Sequence, residues 1–168
     1  MIKIIFSGDR SPYKEDVRSI CLLRIYGFIF KNMTNGILCA TDFSDSSGEA
    51  LKWAVDLAKK LGSHLTILYA YRLLRQNGEA VDMKRKMEAE AKENFERLER
   101  ELFSGAGISY DLKIEVGFID DRIEEHLKKN KVSFLVMGKG LTILNKDTFD
   151  DLVNHLHLPL VIVPEIIN

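Results

Sequence analysis

The chain has 168 residues, 46% of them apolar and 29% charged, with three prolines and eleven glycines; this is the make-up of roughly one globular domain and excludes a disordered or fibrous chain. Its 24 basic and 25 acidic side chains leave a formal net charge of −1, so there is no global positive field to hold nucleic acid. Cys21 and Cys39 are too few and too far apart for a disulfide framework or a paired-cysteine metal or redox site, and a reducing, cytoplasmic setting is expected.

Residues 1–32 carry six basic side chains against three acidic ones, a local +3 that leaves −4 for the remainder. The apolar run from Ser19 to Phe30 is about half the ~20 residues that a membrane-spanning helix needs, and Arg24 interrupts it, so no membrane anchor is expected. Acidic residues in the would-be basic region, and the lack of a small-x-small site after Phe30, argue against a secretory leader. Met33 opens a self-sufficient segment, so residues 33–168 read as the domain and 1–32 as an N-terminal extension. That extension reads equally as an upstream translation start or as an element in which Ile20 to Phe30 packs on the domain.

Ile37 to Ala40 is a short, continuously apolar run, the mark of a strand buried on both faces, and it ends in polar Thr41-Asp42. Ser46 and Glu49 have capping-box spacing, after which Leu51, Ala54, Val55, Ala58 and Leu61 recur at helical period until Gly62 stops them. Leu65 to Tyr71 reads as a second buried strand. Residues 80–103 are charge-rich with apolar residues every three or four positions, which predicts a long helix lying as a lid over one sheet face.

Tyr110, Leu112, Ile114 and Val116 alternate with polar neighbours, the signature of a strand with one wet face at a sheet edge, and Gly117 ends it. Asp120 is placed to cap a third helix bearing Ile123 and Leu127. Phe134 to Met137 reads as a fourth strand closed by Gly138-Lys139-Gly140, then come a helix around Phe149, Leu152, Val153 and Leu156 and a last strand, Leu160 to Val163, between Pro159 and Pro164. Strands separated by helices make βαβ units, so the fold class is α/β: an open five-stranded parallel sheet sandwiched by helices.

Ligands of such sheets bind beyond the carboxyl ends of the strands, where the strand order reverses. Thr41 and Asp42 follow the first of these strands, and Gly138, Lys139 and Gly140 follow the fourth. If the two ends are neighbours, one cleft holds an acid for a ribose or amide and a short loop whose amides can face an anion. The plainer alternative is that Asp42 caps the turn into the first helix and the glycines tighten a turn.

Ala40-Thr41-Asp42-Phe43-Ser44 running into a helix with Ala50-Leu51-Lys52-Trp53-Ala54 resembles the opening of the universal stress protein family. Glu115-Val116-Gly117, the Phe134-Leu135-Val136-Met137-Gly138 strand and the final Leu158-Pro159-Leu160-Val161-Ile162-Val163 follow in that family's order and spacing, so that the resemblance spans residues 34–164. It implies strand order 3-2-1-4-5, a stress-response or regulatory role, and commonly a homodimer in which the last strands pair. It also places an adenine and ribose pocket at Ala40, Thr41, Asp42, Ala70, Met137 and Gly138, with Lys139 and Gly140 in the phosphate loop.

The family's ATP-binding members carry, after the fourth strand, a glycine, two residues, a second glycine, a nine-residue stretch and then glycine with serine or threonine. Here Gly140 comes one residue too early after Gly138, the stretch is shortened, and Lys146-Asp147 stands where Gly-Ser is expected. A carboxylate at a helix N-terminus fills the place where amides would attract phosphate. The expectation is therefore a non-enzymatic module with no cofactor and no tight ATP binding. The alternative is a chain that binds ATP with Mg²⁺ as a nucleotide-dependent switch, with slow hydrolysis.

No nucleophile with a recognisable base, Walker A loop or GxGxxG fingerprint is present. His155 and His157 would point to different faces of a helix, so they read as surface residues and no metal site is expected. A receiver domain would need an acid after its third strand, where Gly117-Phe118 stands; an adenylate-forming enzyme would need paired glycines in the Asp42 to Gly48 loop. Leu160, Val161, Ile162 and Val163 would be an aggregation hazard as an open edge, which makes the last strand the expected homodimer interface. A regulatory protein partner is also expected, without nucleic acid or membrane.

Overall fold

Ile37 to Ala40 and Leu65, Ile67 and Leu68 are at most 1% exposed, because both faces of the strands they form are covered. The computed structural model describes residues 3–5, 36–73, 80–141, 150 and 153–164. Its strands are β1 Lys3–Ile5, β2 Gly36–Thr41, β3 Leu65–Tyr71, β4 Tyr110–Val116, β5 Val132–Gly138 and β6 Leu160–Val163. Its helices are α1 Asp45–Leu61, α2 Ala80–Leu102 and α3 Ile119–Lys129. One sheet has the order β1-β6-β5-β2-β3-β4. The five strands from β2 to β6 are parallel and, counted from β2, run 3-2-1-4-5 as expected.

Neighbouring residues of β2 point to opposite faces and so divide the core in two. Ile37 and Cys39 pack with Ala50, Leu51, Ala54 and Val55 of α1 and with Phe95 of α2. Leu38 and Ala40 pack with Ile119 and Ile123 of α3 and with Leu156. The lid helix α2 thus lies on the α1 face, although Met83 in its first turns is 42% exposed. Gly62 closes α1 at φ 62, a left-handed conformation that costs glycine little, and its N–H reaches Ala58 O.

Several expectations change. The N-cap of α1 is Ser44, not Ser46: Ser44 has extended backbone and its hydroxyl accepts from Ser47 N, whereas the Ser46 side chain is turned away across the sheet end. Asp120 lies in the first turn of α3 but does not cap it; the N-cap is Phe118, with no side-chain bond. β4 is an edge strand as expected, but its polar face is not simply wet, since Lys113 Nζ lies 3.5 Å from His126 Nδ1 of α3. Residues 150 and 153–155 are helical, whereas Phe149 and Leu152 of the fourth predicted helix, like Lys146, Asp147 and Ile20 to Phe30, lie outside the described residues.

The largest departure is at the sheet edge. The outer side of β6, expected to be open for a partner copy, is paired with β1 through Lys3↔Ile162, Ile4↔Val161 and Ile5↔Leu160. The pairing is antiparallel and draws on the N-terminal extension. Among the described residues no helix is long and apolar enough to cross a membrane.

Candidate functional site

β2 and β5 pair in parallel, with Leu38 opposite Leu135 and Cys39 opposite Val136, and β3 lies on the other side of β2. The chain thus reverses its order between β2 and β5, and the turns after these two strands are neighbours, as the site required. The physical tie is direct: Gly140 N donates to Ser46 Oγ at 3.0 Å, joining the β5 turn to the first turn of α1. Gly138 lies so close beneath that turn that a Cβ on it would stand 2.6 Å from Ser46 O and 2.8 Å from Ser46 Oγ.

The turn after β2 is built by its own side chains. Thr41 Oγ1 accepts from Phe43 N at 3.0 Å and donates to Ser47 Oγ at 3.1 Å. This hold accompanies a left-handed Phe43, φ 61, a conformation rarely adopted by non-glycine residues. Asp42 Oδ1 accepts from Ser44 N at 3.0 Å and from Ser44 Oγ at 2.5 Å. The carboxylate therefore organises the entry to α1.

The turn after β5 uses its amides internally as well. Lys139 N donates to Val163 O at 2.8 Å and Leu141 N to Gly138 O at 3.2 Å, on either side of the Gly140 bond to Ser46. At α1, Ser47 N meets Ser44 Oγ and Gly48 N meets Ser44 O. Among the described residues, the amides of Lys139, Gly140, Leu141, Ser47 and Gly48 are thus bonded to protein oxygens.

Of the expected pocket residues, Ala40, Ala70 and Met137 belong to the core on the α3 face and are at most 1% exposed. Thr41 is fully buried and Gly138 is buried; Asp42 and Gly140 are half-buried and Lys139 is exposed. Phe43 was not among the expected site residues, and its ring packs 5.0 Å from that of Tyr69, which is followed by Tyr71 at 6.1 Å. Burial, then Glu90 and Asp42, hold the Tyr69 hydroxyl above its ordinary pKa; Tyr71 is raised by burial and by Glu88, to which its hydroxyl donates at 3.3 Å. The aromatic side of the site is thus bordered by Asp42, Glu88 and Glu90, of which Glu88 and Glu90 pair with Lys84 at 3.8 Å and Lys86 at 3.9 Å.

The histidines lie elsewhere. His64, at the amino end of β3, sits between Ser109 Oγ at 3.0 Å and Asp111 Oδ1 at 2.5 Å, and Thr66 Oγ1 donates to the same carboxylate. This is a hydroxyl, imidazole and carboxylate in series, which the spacing of these residues did not announce. Its histidine and aspartate are 45% and 38% exposed on the rim, where the network ties β3 to β4. His126 is buried at 6%, and burial, then Lys113, lower its pKa against a smaller opposing pull from Asp111. His155 and His157 line a cavity of about 540 Å³ with Leu127, Val132, Leu156 and Leu158 at the amino ends of β5 and β6. Among the described residues no three metal-ligating side chains come together.

The model of the universal stress protein family matches residues 33–164. A universal stress family protein from Burkholderia pseudomallei is similar in structure, with TM-score 0.65 and 19% identity over 80% of this chain and 98% of its own. The universal stress protein UspA of Lactobacillus plantarum gives 0.62 and 20% over 77% and 97%. A universal stress protein in complex with cAMP gives 0.56 and 20% over 78% and 97%. At these identities the likeness is one of fold. Among curated proteins no relative matches.

Proposed function

This chain belongs to the universal stress protein family, and on that premise we propose that it is a cytoplasmic, non-enzymatic stress-response or regulatory module that does not hold ATP tightly. The observation that carries the reading is the Gly140 amide, which is engaged by Ser46 Oγ in a turn whose flanking amides are also bonded to protein oxygens. A triphosphate would have to break these bonds and enter beside Asp42 and the acidic partners of Tyr69 and Tyr71. The working surface is then one for protein partners, including a second copy of the chain, and the signal passes through association.

A second reading, an adenine-nucleotide switch using Mg²⁺, is supported by the paired turns at the reversal of strand order and by the relative in complex with cAMP. Calorimetric titration with ATP and Mg²⁺, ADP, AMP and cAMP separates the two. The control is Asp42→Asn, which keeps an oxygen acceptor for Ser44. No heat at millimolar ligand supports the partner-binding module, whereas micromolar binding that Asp42→Asn abolishes replaces it with the switch.

A further inference from the structure

The cavity of about 540 Å³ at the amino ends of β5 and β6 lies at the opposite end of the sheet from the paired turns, and its size falls within the ~300–1,000 Å³ usual for small-molecule sites. Its floor is apolar. Leu127 of α3, Val132 of β5 and Leu156 and Leu158 before β6 pack on the α3-face core, but only Leu156 is buried, and the other three are half-buried. Apolar surface left open inside a concavity is what a ligand with an apolar body covers.

The rim follows from how the chain enters β6. The preceding helix ends at His155, and beyond it Leu156 turns into the core while His155 and His157 stay exposed. The two histidines, which a continuous helix would send to different faces, therefore reach one cavity. Two lysines join them. Lys128 is matched, since its Nζ lies 3.2 Å from Oε2 of Glu124, the one carboxylate on this lining. The end of α3 is met as well, because Asn130 N and Nδ2 both donate to His126 O at 2.9 Å. Lys131 meets no carboxylate among the described residues, which leaves one lysine charge on the rim unanswered.

We propose that this cavity binds an organic monoanion with an apolar body, a medium-chain or aryl carboxylate, whose hydrocarbon covers the leucine and valine floor and whose head group pairs with Lys131, with the N–H of His157 as a second donor. Charge selects the class. One unanswered lysine suits one negative charge, and a polyanion would set its further charges against Glu124. A cation would find only Glu124, which Lys128 already holds. The site gives the regulatory module a small-molecule input that is independent of nucleotide, since the bond between Ser46 and Gly140 lies at the other end of the sheet.

The test is titration of the isotope-labelled full chain with decanoate, followed through its amide resonances, with acetate and decanol as comparisons. Decanoate should saturate below millimolar concentration and move the amides of Lys131, Val132 and residues 155–158. Acetate, which lacks the body, and decanol, which lacks the charge, should each bind at least about fivefold more weakly. The side chain of Lys131 is exposed, and its part in the fold is the carbonyl that accepts from Gly36 N at 3.0 Å, so Lys131→Glu should fold normally. It should weaken decanoate by at least about fivefold and leave decanol unchanged, whereas Lys131→Arg should keep the affinity for decanoate.

Decanol as tight as decanoate, or a Lys131→Glu variant that binds decanoate like wild type, would overturn the anionic class. Shifts scattered over the whole surface, or no saturation at millimolar decanoate, would overturn the site. Movement of the same amides on concentrating the protein alone would give the cavity to a second copy and overturn the small-molecule ligand. None of these outcomes depends on the titration with ATP.

Discussion

Ser46 and Gly140 are 94 residues apart in the chain, yet the hydroxyl of one accepts the amide proton of the other at 3.0 Å. The bond spans the point where the strand order reverses, between the turns that follow β2 and β5. It braces the turn after β5 against the first turn of α1. It also explains why position 138 carries no side chain.

Gly138→Ala should be destabilising through this contact alone. Its Cβ would meet backbone, Ser46 O at 2.6 Å, rather than the far end of a flexible side chain. Overpacking of this kind costs about 1–3 kcal/mol, so the urea midpoint should fall at unchanged slope. Gly48→Ala is the comparison: nothing lies within 4 Å of its Cβ, and in a helix the change should stabilise by roughly 0.5–1 kcal/mol. Equal effects at the two glycines would refute the steric account.

His126 should make folding sensitive to mild acid. Its folded pKa lies below the ordinary value of about 6.5, first because burial penalises the imidazolium and second because Lys113 faces it, while Asp111 pulls the other way. A depressed value means that the unfolded chain binds the proton more readily. The stability is full above the unfolded value and is lost as pH falls through the folded one. His126→Asn should flatten the profile of unfolding free energy between pH 7 and 5.5 relative to wild type; parallel profiles would show that His126 does not titrate with folding.

Cys39 should be chemically silent in the native chain. It is fully buried in β2, and burial pushes its thiol up to about 12. With Cys21→Ser removing the other thiol, a thiol reagent at pH 8 should register nothing until urea unfolds the protein, and then one thiol per chain. Reaction of the native variant at the rate of an open cysteine would contradict the packing of β2.

Much of the architecture was legible because it is local. The apolar runs at Ile37 to Ala40 and Phe134 to Met137 state burial on both faces, and the spacing of Leu51, Ala54, Val55 and Ala58 states a helix face. The family motifs then supplied the order of the five parallel strands. Helix entries were less readable: Ser44, Ser46 and Ser47 all have capping chemistry, and which one caps depends on where the chain turns out of β2. The short alternating run of β4 likewise marked an edge strand without saying that α3 would bring His126 to Lys113.

The sequence by itself determined the five parallel strands, the main helices and the family, since hydrophobic period and short motifs act over a few residues. Only the tertiary structure decided what the candidate site is made of and which edge is closed. Ser46 meets Gly140, His64 joins Ser109 and Asp111, and β1 covers β6 because parallel crossovers carry distant segments to one end or one side of a sheet. Such pairings leave no periodic trace in the chain, and the hydrogen bonds that satisfy them form only after the sheet has assembled.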